Sequence, residues 1–263
     1  MVTLRKNQDE LAQEMMGKIS LEKDKVNLEK HVVNLSKCVV DLSQQNGVDL
    51  GSVKAKVAVV LDYSGSMSTL YARGTVQKTL NRLVPLGLTF DDNGSIDVYL
   101  FQDDYKKLPD LNLSNYENYI KGIVKTSGYS MGGTCYAPVL KAIIEGETKK
   151  KGGFFGFGAK TIKTEALVDN NTPTFILFIT DGENSDKPES DAIIRKSSDM
   201  NVFIQFIGIG HEKFKYLQEL DNMVGRTRDN TGFTKMQDLD KASDTELYTN
   251  VLDQFACWLN GLQ

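Results

Sequence analysis

The sequence predicts an α/β fold in which helices flank a doubly wound, mostly parallel sheet, with a helical extension at the N-terminus. Three observations lead to this fold class. Short runs of purely apolar residues recur, as in strands buried on both faces of a sheet, for example Val57–Leu61 and Phe175–Ile179. Segments with helical spacing of apolar residues lie between these runs. Polar turns containing glycine follow several of the runs, and 263 residues accommodate one such domain with an appendage.

The composition is typical of a soluble globular protein. Hydrophobic residues make up 40% and charged residues 25%, and a net charge of −4 gives no signal for binding nucleic acid or an anionic membrane. No stretch has the length of a transmembrane helix or the basic-then-apolar pattern of a signal peptide. The three cysteines, Cys38, Cys135 and Cys257, form no C-x-x-C pair, which favours reduced thiols and a cytoplasmic location. Because the chain has two histidines, a His-rich metal site is excluded.

Residues 1–50 contain no Pro, Phe, Tyr or Trp, and they repeat a V-x-L phrase every seven residues. Four leucines share one heptad register and two valines fill the complementary seam: Leu21, Leu28, Leu35, Leu42, Val32 and Val39. We expect an amphipathic helical arm over 1–50 that packs on its own domain or pairs with another helix, so self-association through the arm stays open. Short strands are the less favoured alternative. The main domain is expected at 51–263, after a linker at Gly47–Ser52.

The main domain is expected to begin with the strand at Val57–Leu61 and then to alternate helices and strands. The helix predicted over Val76–Phe90 contains Pro85, which should kink or interrupt it. The strand at Ile96–Phe101 follows a short turn at Asp91–Gly94, which suggests an antiparallel edge strand or a hairpin. Further helices are predicted at 115–125, 136–147, 189–200, 213–223 and 244–259, and further strands at Phe175–Ile179, Val202–Ile207 and Phe233–Met236.

A segment rich in lysine, glycine and phenylalanine, Lys149–Lys163, interrupts this alternation. Its composition favours a solvated loop between a helix and a strand. Because lysines lie beside Phe154, Phe155 and Phe157, attachment of this loop to a membrane surface is the alternative.

Oxygen-bearing side chains follow two of the buried strands and also occur in a glycine-rich loop. The first strand ends in D-x-S-x-S, the loop contains G-G-T, and a later strand ends in T-D-G-E-N; the candidate ligands are Asp62, Ser64, Ser66, Thr134 and Asp181. The carboxyl ends of parallel strands meet at one edge of a sheet, where ligands bind. Carboxylates and hydroxyls are hard donors that suit Mg²⁺, Mn²⁺ or Ca²⁺ rather than zinc. The sequence therefore predicts a divalent metal site, against the plainer alternative of unrelated polar turns that cap helices.

These three motifs, in this order, resemble the metal-ion-dependent adhesion site of von Willebrand factor A (vWA) domains, and the resemblance spans about 54–262. It implies a Rossmann-like fold and Mg²⁺ as the cofactor, with Mn²⁺ or Ca²⁺ as alternatives. It also implies that Ser64, Ser66 and Thr134 help to bind the metal, and that Asp62 and Asp181 contribute directly or through water. In this family an acidic residue of a protein partner completes the metal's coordination.

A narrower resemblance involves the bacterial vWA domains associated with tellurium-resistance (Ter) and chemical-stress systems. The segments that carry it are Leu70–Tyr71, Gly74–Gln77, Leu86–Gly94 and Gly133–Val139, together with the insert before Phe175. It implies a role in a bacterial stress response.

The chemistry of the predicted site favours binding over catalysis. A metal held by neutral hydroxyls and few carboxylates keeps more of its positive charge, and it should attract a carboxylate from a partner. The enzymatic alternative is a metal-assisted hydrolase that uses His211, which follows a strand, or Cys135, which adjoins Thr134. A lone histidine in a loop and a lone cysteine are more often structural, so we expect no enzyme.

Overall fold

The computed structural model describes residues 6–19, 25–91, 93–151, 160–182, 184–236 and 243–261, without the side chains of 17–19, 25–29, 147–151 and 160–164. The α-helices are α1 (Gln8–Ile19), α2 (Lys25–Asn46), α3 (Ser68–Ala72), α4 (Thr75–Phe90), α5 (Ala137–Glu145), α6 (Lys187–Ser197), α7 (Lys215–Asp221) and α8 (Asp244–Asn260). The strands are β1 (Lys56–Asp62), β2 (Ile96–Phe101), β3 (Tyr105–Leu111), β4 (Glu147–Lys151), β5 (Lys160–Thr164), β6 (Thr174–Thr180), β7 (Val202–Ile209) and β8 (Thr231–Met236).

The main sheet contains, within these ranges, six strands in the order β3-β2-β1-β6-β7-β8. Neighbouring strands run parallel, except that β2 and β3 pair antiparallel. The central strands β1, β6 and β7 are buried over almost their whole length, which explains their unbroken apolar sequences. The expected doubly wound, mostly parallel fold is confirmed.

Alternate residues of the central strands enter two separate hydrophobic cores. Val57, Val59 and Leu61 belong to a core shared with α2, α4 and α8. Ala58 and Val60 belong to a core on the other face, shared with α5, α6 and α7. Because the strands other than β3 run parallel, the loops at their carboxyl ends meet along one edge of the sheet.

The N-terminal helix α2 packs against α8 and α4. The buried residues of its predicted seam, each at most 2% exposed, are Val32, Leu35, Val39 and Leu42. The predicted helical extension is confirmed, and the alternative prediction of short strands is wrong for the described part of 1–50. Leu21 and the side chain of Leu28 lie outside the description. The division of the chain at residue 50 stays a prediction.

A cluster of charged side chains ties α2 to both of its neighbours. His31 Nδ1 lies 2.7 Å from Asp244 Oδ2, at the start of α8. Arg82 of α4 places its Nη2 atom 2.9 Å from the other oxygen of the same carboxylate. Asp244 is 9% exposed, so its carboxylate contacts Arg82 and His31 largely away from water. The extension is therefore packed into the domain by both apolar and charged contacts.

The strand β2 lies inside the sheet and is not the edge strand. It pairs in parallel with β1 and forms a hairpin with β3, which is the true edge. No strand pattern predicts β3, since the segment carries charged residues and proline at exposed positions: Lys106, Lys107, Pro109 and Asp110. Charges and proline are typical of edge strands, because they block pairing with other chains.

Two predictions about helices differ from what is observed, a break at Pro85 and a helix at 115–125. Helix α4 continues through Pro85, because its neighbours Val84 and Leu86 are buried and tertiary packing offsets the missing N–H. The helix expected at 115–125 is instead a 3₁₀ turn at Tyr116–Asn118 followed by a π-helical turn at Ile120–Val124.

The insert at Lys149–Lys163 is not a simple loop. Its flanks, β4 and β5, pair antiparallel in a two-stranded ribbon separate from the main sheet, and 152–159 lie outside the description. Lysine and threonine give no apolar run, so the sequence did not predict these strands. Membrane attachment by this segment is untested. Along the parts of the chain that the structure covers, no helix combines the length and the apolar character needed to cross a membrane.

We predict that Leu35→Ala lowers the free energy of unfolding of the whole domain by about 2–5 kcal/mol, because it leaves a cavity where α2 contributes to the core. Val33→Ala, on the same helix at a side chain that is 40% exposed, should change it by less than about 0.5 kcal/mol. Urea unfolding followed by tryptophan fluorescence measures both. An unchanged main transition for Leu35→Ala would show that α2 is not part of the cooperative unit.

Candidate metal site

The first predicted motif forms the loop after β1. Asp62 is the last residue of the strand and is completely buried, Ser64 is buried, and Ser66 is exposed. The backbone N–H of Ser64 donates to Asp62 Oδ1 at 2.8 Å, and the hydroxyl oxygens of Ser64 and Ser66 lie 3.0 Å apart. The loop thus holds one carboxylate and two hydroxyls together at the carboxyl edge of the sheet.

The glycine-rich loop that contains Thr134 runs beside this first loop. Gly65 N–H donates to the carbonyl of Gly132 at 2.9 Å, and Gly133 N–H donates to Asp103 Oδ2 at 2.8 Å. A Cβ atom on Gly132 or Gly133 would overlap the side-chain ends of Gln102 or Asp103, which would then have to move, so glycine permits this close approach. Thr134 follows directly and is 6% exposed.

The third motif lies in the loop after β6. Asp181 is 5% exposed, and Gly182 after it has φ +95°, a conformation that L side chains rarely adopt. Ser185 N–H donates to the carbonyl of Thr134 at 2.8 Å, which connects this loop to the glycine-rich loop. Glu183, in the T-D-G-E-N motif, lies outside the described residues. All five predicted site residues therefore meet at one edge of the sheet, in three loops joined by hydrogen bonds.

The donor set fits a hard divalent cation. Asp181 Oδ1 is buried and has no hydrogen-bond partner among the described residues. A buried carboxylate oxygen without a partner is costly, and a cation is one group that would satisfy it. No cluster of three or more His, Cys, Asp or Glu side chains that could hold a metal occurs in the described ranges, so carboxylates alone do not form this site. The two aspartates together with the hydroxyls of Ser64, Ser66 and Thr134 supply the oxygens.

The environment of Asp62 favours its neutral form when no cation is present. Burial raises its pKa from 3.8 to about 7, and the negative charge of Asp181 acts in the same direction. Hydrogen bonds from Ser64 and Thr180 oppose the shift without cancelling it. A nearby cation would instead stabilise the ionised carboxylate.

Two residues that the sequence analysis did not single out hold Asp62 in place. Thr180, the residue before Asp181, donates its hydroxyl to Asp62 Oδ2 at 2.6 Å. Tyr71 of α3 donates its hydroxyl to the Asp62 carbonyl at 2.8 Å. Thr180 stands inside the T-D-G motif and could have been noticed there, whereas nothing in the local sequence of Tyr71 indicates this contact.

Asp186 fixes the glycine-rich loop from the other side. Its two carboxylate oxygens accept the backbone N–H groups of Tyr136 and Ala137, each at 2.9 Å. A carboxylate at the first turn of α5 also complements the helix dipole. Because the contact joins residues fifty positions apart, the sequence alone does not reveal it.

Aromatic side chains form part of the rim. Tyr63 is half-buried, with its ring edge-on to Tyr71 at a centroid distance of 5.0 Å and stacked on Tyr129 at 6.4 Å. The residues of the enzymatic alternative offer little support. His211 is exposed, and burial together with the nearby Asp186 raises the pKa of the Cys135 thiol, which disfavours a thiolate nucleophile.

Comparison with known proteins gives consistent results. A family model described as vWA-TerF-like, the vWA found in the TerF C terminus, matches residues 54–155 and 159–263. YcbR, an uncharacterized protein of Bacillus subtilis (strain 168), is 35% identical over 214 residues, which cover 80% of this chain and 79% of that protein. Two structures of proximal thread matrix protein 1 from the mussel byssus match with TM-scores of 0.52 and 0.50 at 18% and 17% identity. Each match covers 78% of this chain and 48% of the mussel protein, so the chain spans about half of that protein's length and the likeness concerns the fold alone.

We predict that the metal-free protein loses stability as the pH rises toward 7. Folded Asp62 keeps its proton up to about pH 7, whereas the unfolded chain releases it near pH 3.8, so rising pH favours the unfolded state in this window. Between pH 5 and pH 8 the free energy of unfolding of the wild type should fall by about 2–3 kcal/mol relative to that of Asp62→Asn, whose side chain at position 62 cannot titrate. Urea unfolding in EDTA at both pH values measures this difference, and a constant difference would contradict the prediction.

Proposed function

Because the chain belongs to the TerF-like family of vWA domains, we propose that it is a divalent-metal-dependent protein–protein interaction module. The observation that carries this proposal is the buried Oδ1 of Asp181, which has no hydrogen-bond partner in the described part of the chain and lies in a loop joined to those of Asp62 and Thr134. Such an oxygen is expected where a cation belongs, and the hydroxyl and carboxylate groups of the family's metal motif lie in the loops joined to its own.

Mg²⁺ is the proposed cation, with Mn²⁺ and Ca²⁺ as alternatives. Asp62, Ser64, Ser66, Thr134 and Asp181 would hold it, some of them through water, as hard cations bound by few carboxylates often are. When bound, the cation supplies a positive centre that accepts a further oxygen ligand. The protein's part is to keep its own donors fixed and partly shielded from water, so that the cation's charge is weakly screened.

The partner is proposed to be a protein that offers an acidic residue. Asp62 and Asp181 are the charged members of the proposed ligand set, and the three hydroxyls bring no charge, so the cation keeps more of its positive charge than it would among several carboxylates. An incoming carboxylate would therefore lower the energy of the occupied site. Ser66 is the exposed member of the set, so the partner would approach from its side.

The biological setting is proposed to be a bacterial tellurium-resistance or chemical-stress system in the cytoplasm. The support is the description of the matching family, a vWA domain found in the TerF C terminus, and the relative in Bacillus subtilis. Reduced thiols fit this location.

We take the module to bind rather than to catalyse. A metal-assisted hydrolase would need a base or nucleophile beside the cation; His211 is exposed, and in the metal-free site burial raises the pKa of the Cys135 thiol, so neither residue supports this alternative further. Attachment to a membrane through 149–163 has no further support, because the side chains that would carry it lie outside the description.

We predict that, in Mg²⁺, immobilised wild-type chain retains a specific protein from a bacterial lysate and that Asp62→Ala does not. Loss of the carboxylate should weaken cation binding by at least about tenfold, as removal of a supporting ligand does. Asp199→Ala is the matched control, because Asp199 is exposed and precedes β7 at the opposite edge of the sheet. It should retain the same protein as the wild type.

Replacement of Mg²⁺ by EDTA should release the retained protein from the wild type and from Asp199→Ala alike. Retention that is equal in EDTA would contradict metal-dependent binding and would direct attention to the N-terminal helices. If no protein is retained under any condition, the hydrolase alternative gains support.

A further inference from the structure

We infer that Thr180 is a positioning residue of the metal site and that Tyr136 fixes the hydroxyl through which it acts. The inference rests on the proposed metal binding and adds two residues to it. Neither residue belongs to the five predicted ligands. Both are completely buried, so solvent does not compete for their hydroxyl groups.

The hydrogen bonds of Thr180 use the donor proton and both acceptor lone pairs of its hydroxyl group. Thr180 donates to Asp62 Oδ2 at 2.6 Å, accepts the N–H of Gly182 at 3.0 Å, and lies 3.1 Å from the hydroxyl of Tyr136. A hydroxyl group has one proton and two lone pairs. When a cation is bound, Asp62 is ionised and its carboxylate only accepts, and an N–H only donates, so in that state the hydroxyl of Tyr136 must donate to Thr180.

Because the Thr180 hydroxyl has no hydrogen-bonding capacity left, Thr180 can position the metal ligands but cannot itself be one. With its proton given to Asp62 and both lone pairs occupied, the Thr180 oxygen has no electron pair left for a cation. Its effect on the metal must therefore pass through the groups that it holds. These groups are the carboxylate of Asp62 and, through Gly182, the peptide that follows Asp181.

Thr180 therefore sets the relative position of the two aspartates. Ser64 N–H holds Oδ1 of Asp62 while Thr180 holds Oδ2, so the carboxylate is fixed at both oxygens. The bond to Gly182 holds the turn on which Asp181 is placed, with its φ of +95°. One hydroxyl group thus connects the ends of β1 and β6.

Tyr136 is held rigidly enough to orient this hydroxyl. Its ring packs against Phe101 and Phe178 with centroid distances of 5.6 and 4.8 Å, and against Tyr216 at 6.0 Å. Its backbone N–H is bound by Asp186. The phenol therefore reaches Thr180 from a fixed ring, and it links the metal loops to the core under α5, α6 and α7.

We predict that Thr180→Val weakens cation binding by about 10–100-fold, the range found when groups that support metal ligands are removed. Valine keeps the shape of threonine but cannot donate to Asp62 or accept from Gly182. Thr180→Ser keeps the hydroxyl and should restore binding to within about threefold of the wild type. Tyr136→Phe removes one of the two hydrogen bonds that the Thr180 oxygen accepts. It should weaken cation binding by an intermediate amount, within the lower part of that range.

Thr174→Val is the matched control. Thr174 begins the same strand, is equally buried, and its hydroxyl has no hydrogen-bond partner among the residues described. Its replacement should leave cation binding at the wild-type level. The full chain is used for each variant, with Mn²⁺ as the probe. Electron paramagnetic resonance measures free and bound Mn²⁺, calorimetry measures Mg²⁺ in competition, and thermal unfolding in EDTA checks that each variant is folded.

The outcomes distinguish this inference from the proposed function. A wild-type chain that binds neither Mn²⁺ nor Mg²⁺ would overturn both. A wild type that binds while Thr180→Val binds equally well would overturn the positioning role alone. Equal weakening by Thr180→Ser and Thr180→Val would also overturn it, since packing rather than hydrogen bonding would then be responsible. If Thr180→Val does not fold, Tyr136→Phe decides. Wild-type affinity of Tyr136→Phe overturns the inference, and weakened affinity of Tyr136→Phe together with near-wild-type affinity of Thr180→Ser supports it.

Discussion

The arrangement of the site depends on keeping one carboxylate out of water. Asp62 lies at the end of the central strand with no exposed surface, where an isolated charge would be strongly destabilised. Two donors from the protein, the N–H of Ser64 and the hydroxyl of Thr180, compensate part of this cost. The part that they do not compensate raises the pKa of Asp62. Asp181 carries a separate cost, a buried Oδ1 with no hydrogen-bond partner among the described residues. Both features have one simple physical remedy, a bound cation, which would stabilise the ionised form of the first aspartate and pair with the second.

The topology of the sheet brings these groups together. β1 and β6 are direct neighbours and run parallel, so Asp62 and Asp181 leave the sheet side by side. The glycine-rich loop is held from a third direction by the β2–β3 hairpin, whose connection contributes Gln102 and Asp103 against the two glycines. An antiparallel edge strand therefore has a role in the site, since it sets the position from which Thr134 is presented.

Sequence patterns predicted the parts of this structure that depend on local composition. Unbroken apolar runs identified the central strands, and the three polar motifs identified the residues that meet at their ends. The patterns failed where a segment's role depends on distant neighbours. β3 has the charges of an edge strand, and Asp186 acts on a helix start fifty residues earlier in the chain. The saturation of the Thr180 hydroxyl requires Tyr136, which is forty-four residues away.

The N-terminal helices show how a sequence pattern can be confirmed and yet change in meaning. A heptad seam suggests a dimer, but in this chain the apolar residues of α2 that the structure describes are largely covered by α8 and α4. Val33 is the exposed large apolar side chain in the described part of that helix, at 40%, which is a small surface for a second helix. Association through α2 would have to displace α8 and break the contacts of Asp244 with His31 and Arg82. The carboxyl edge of the sheet needs no such rearrangement, because its polar groups already lie together and one of them still lacks a partner in the described structure.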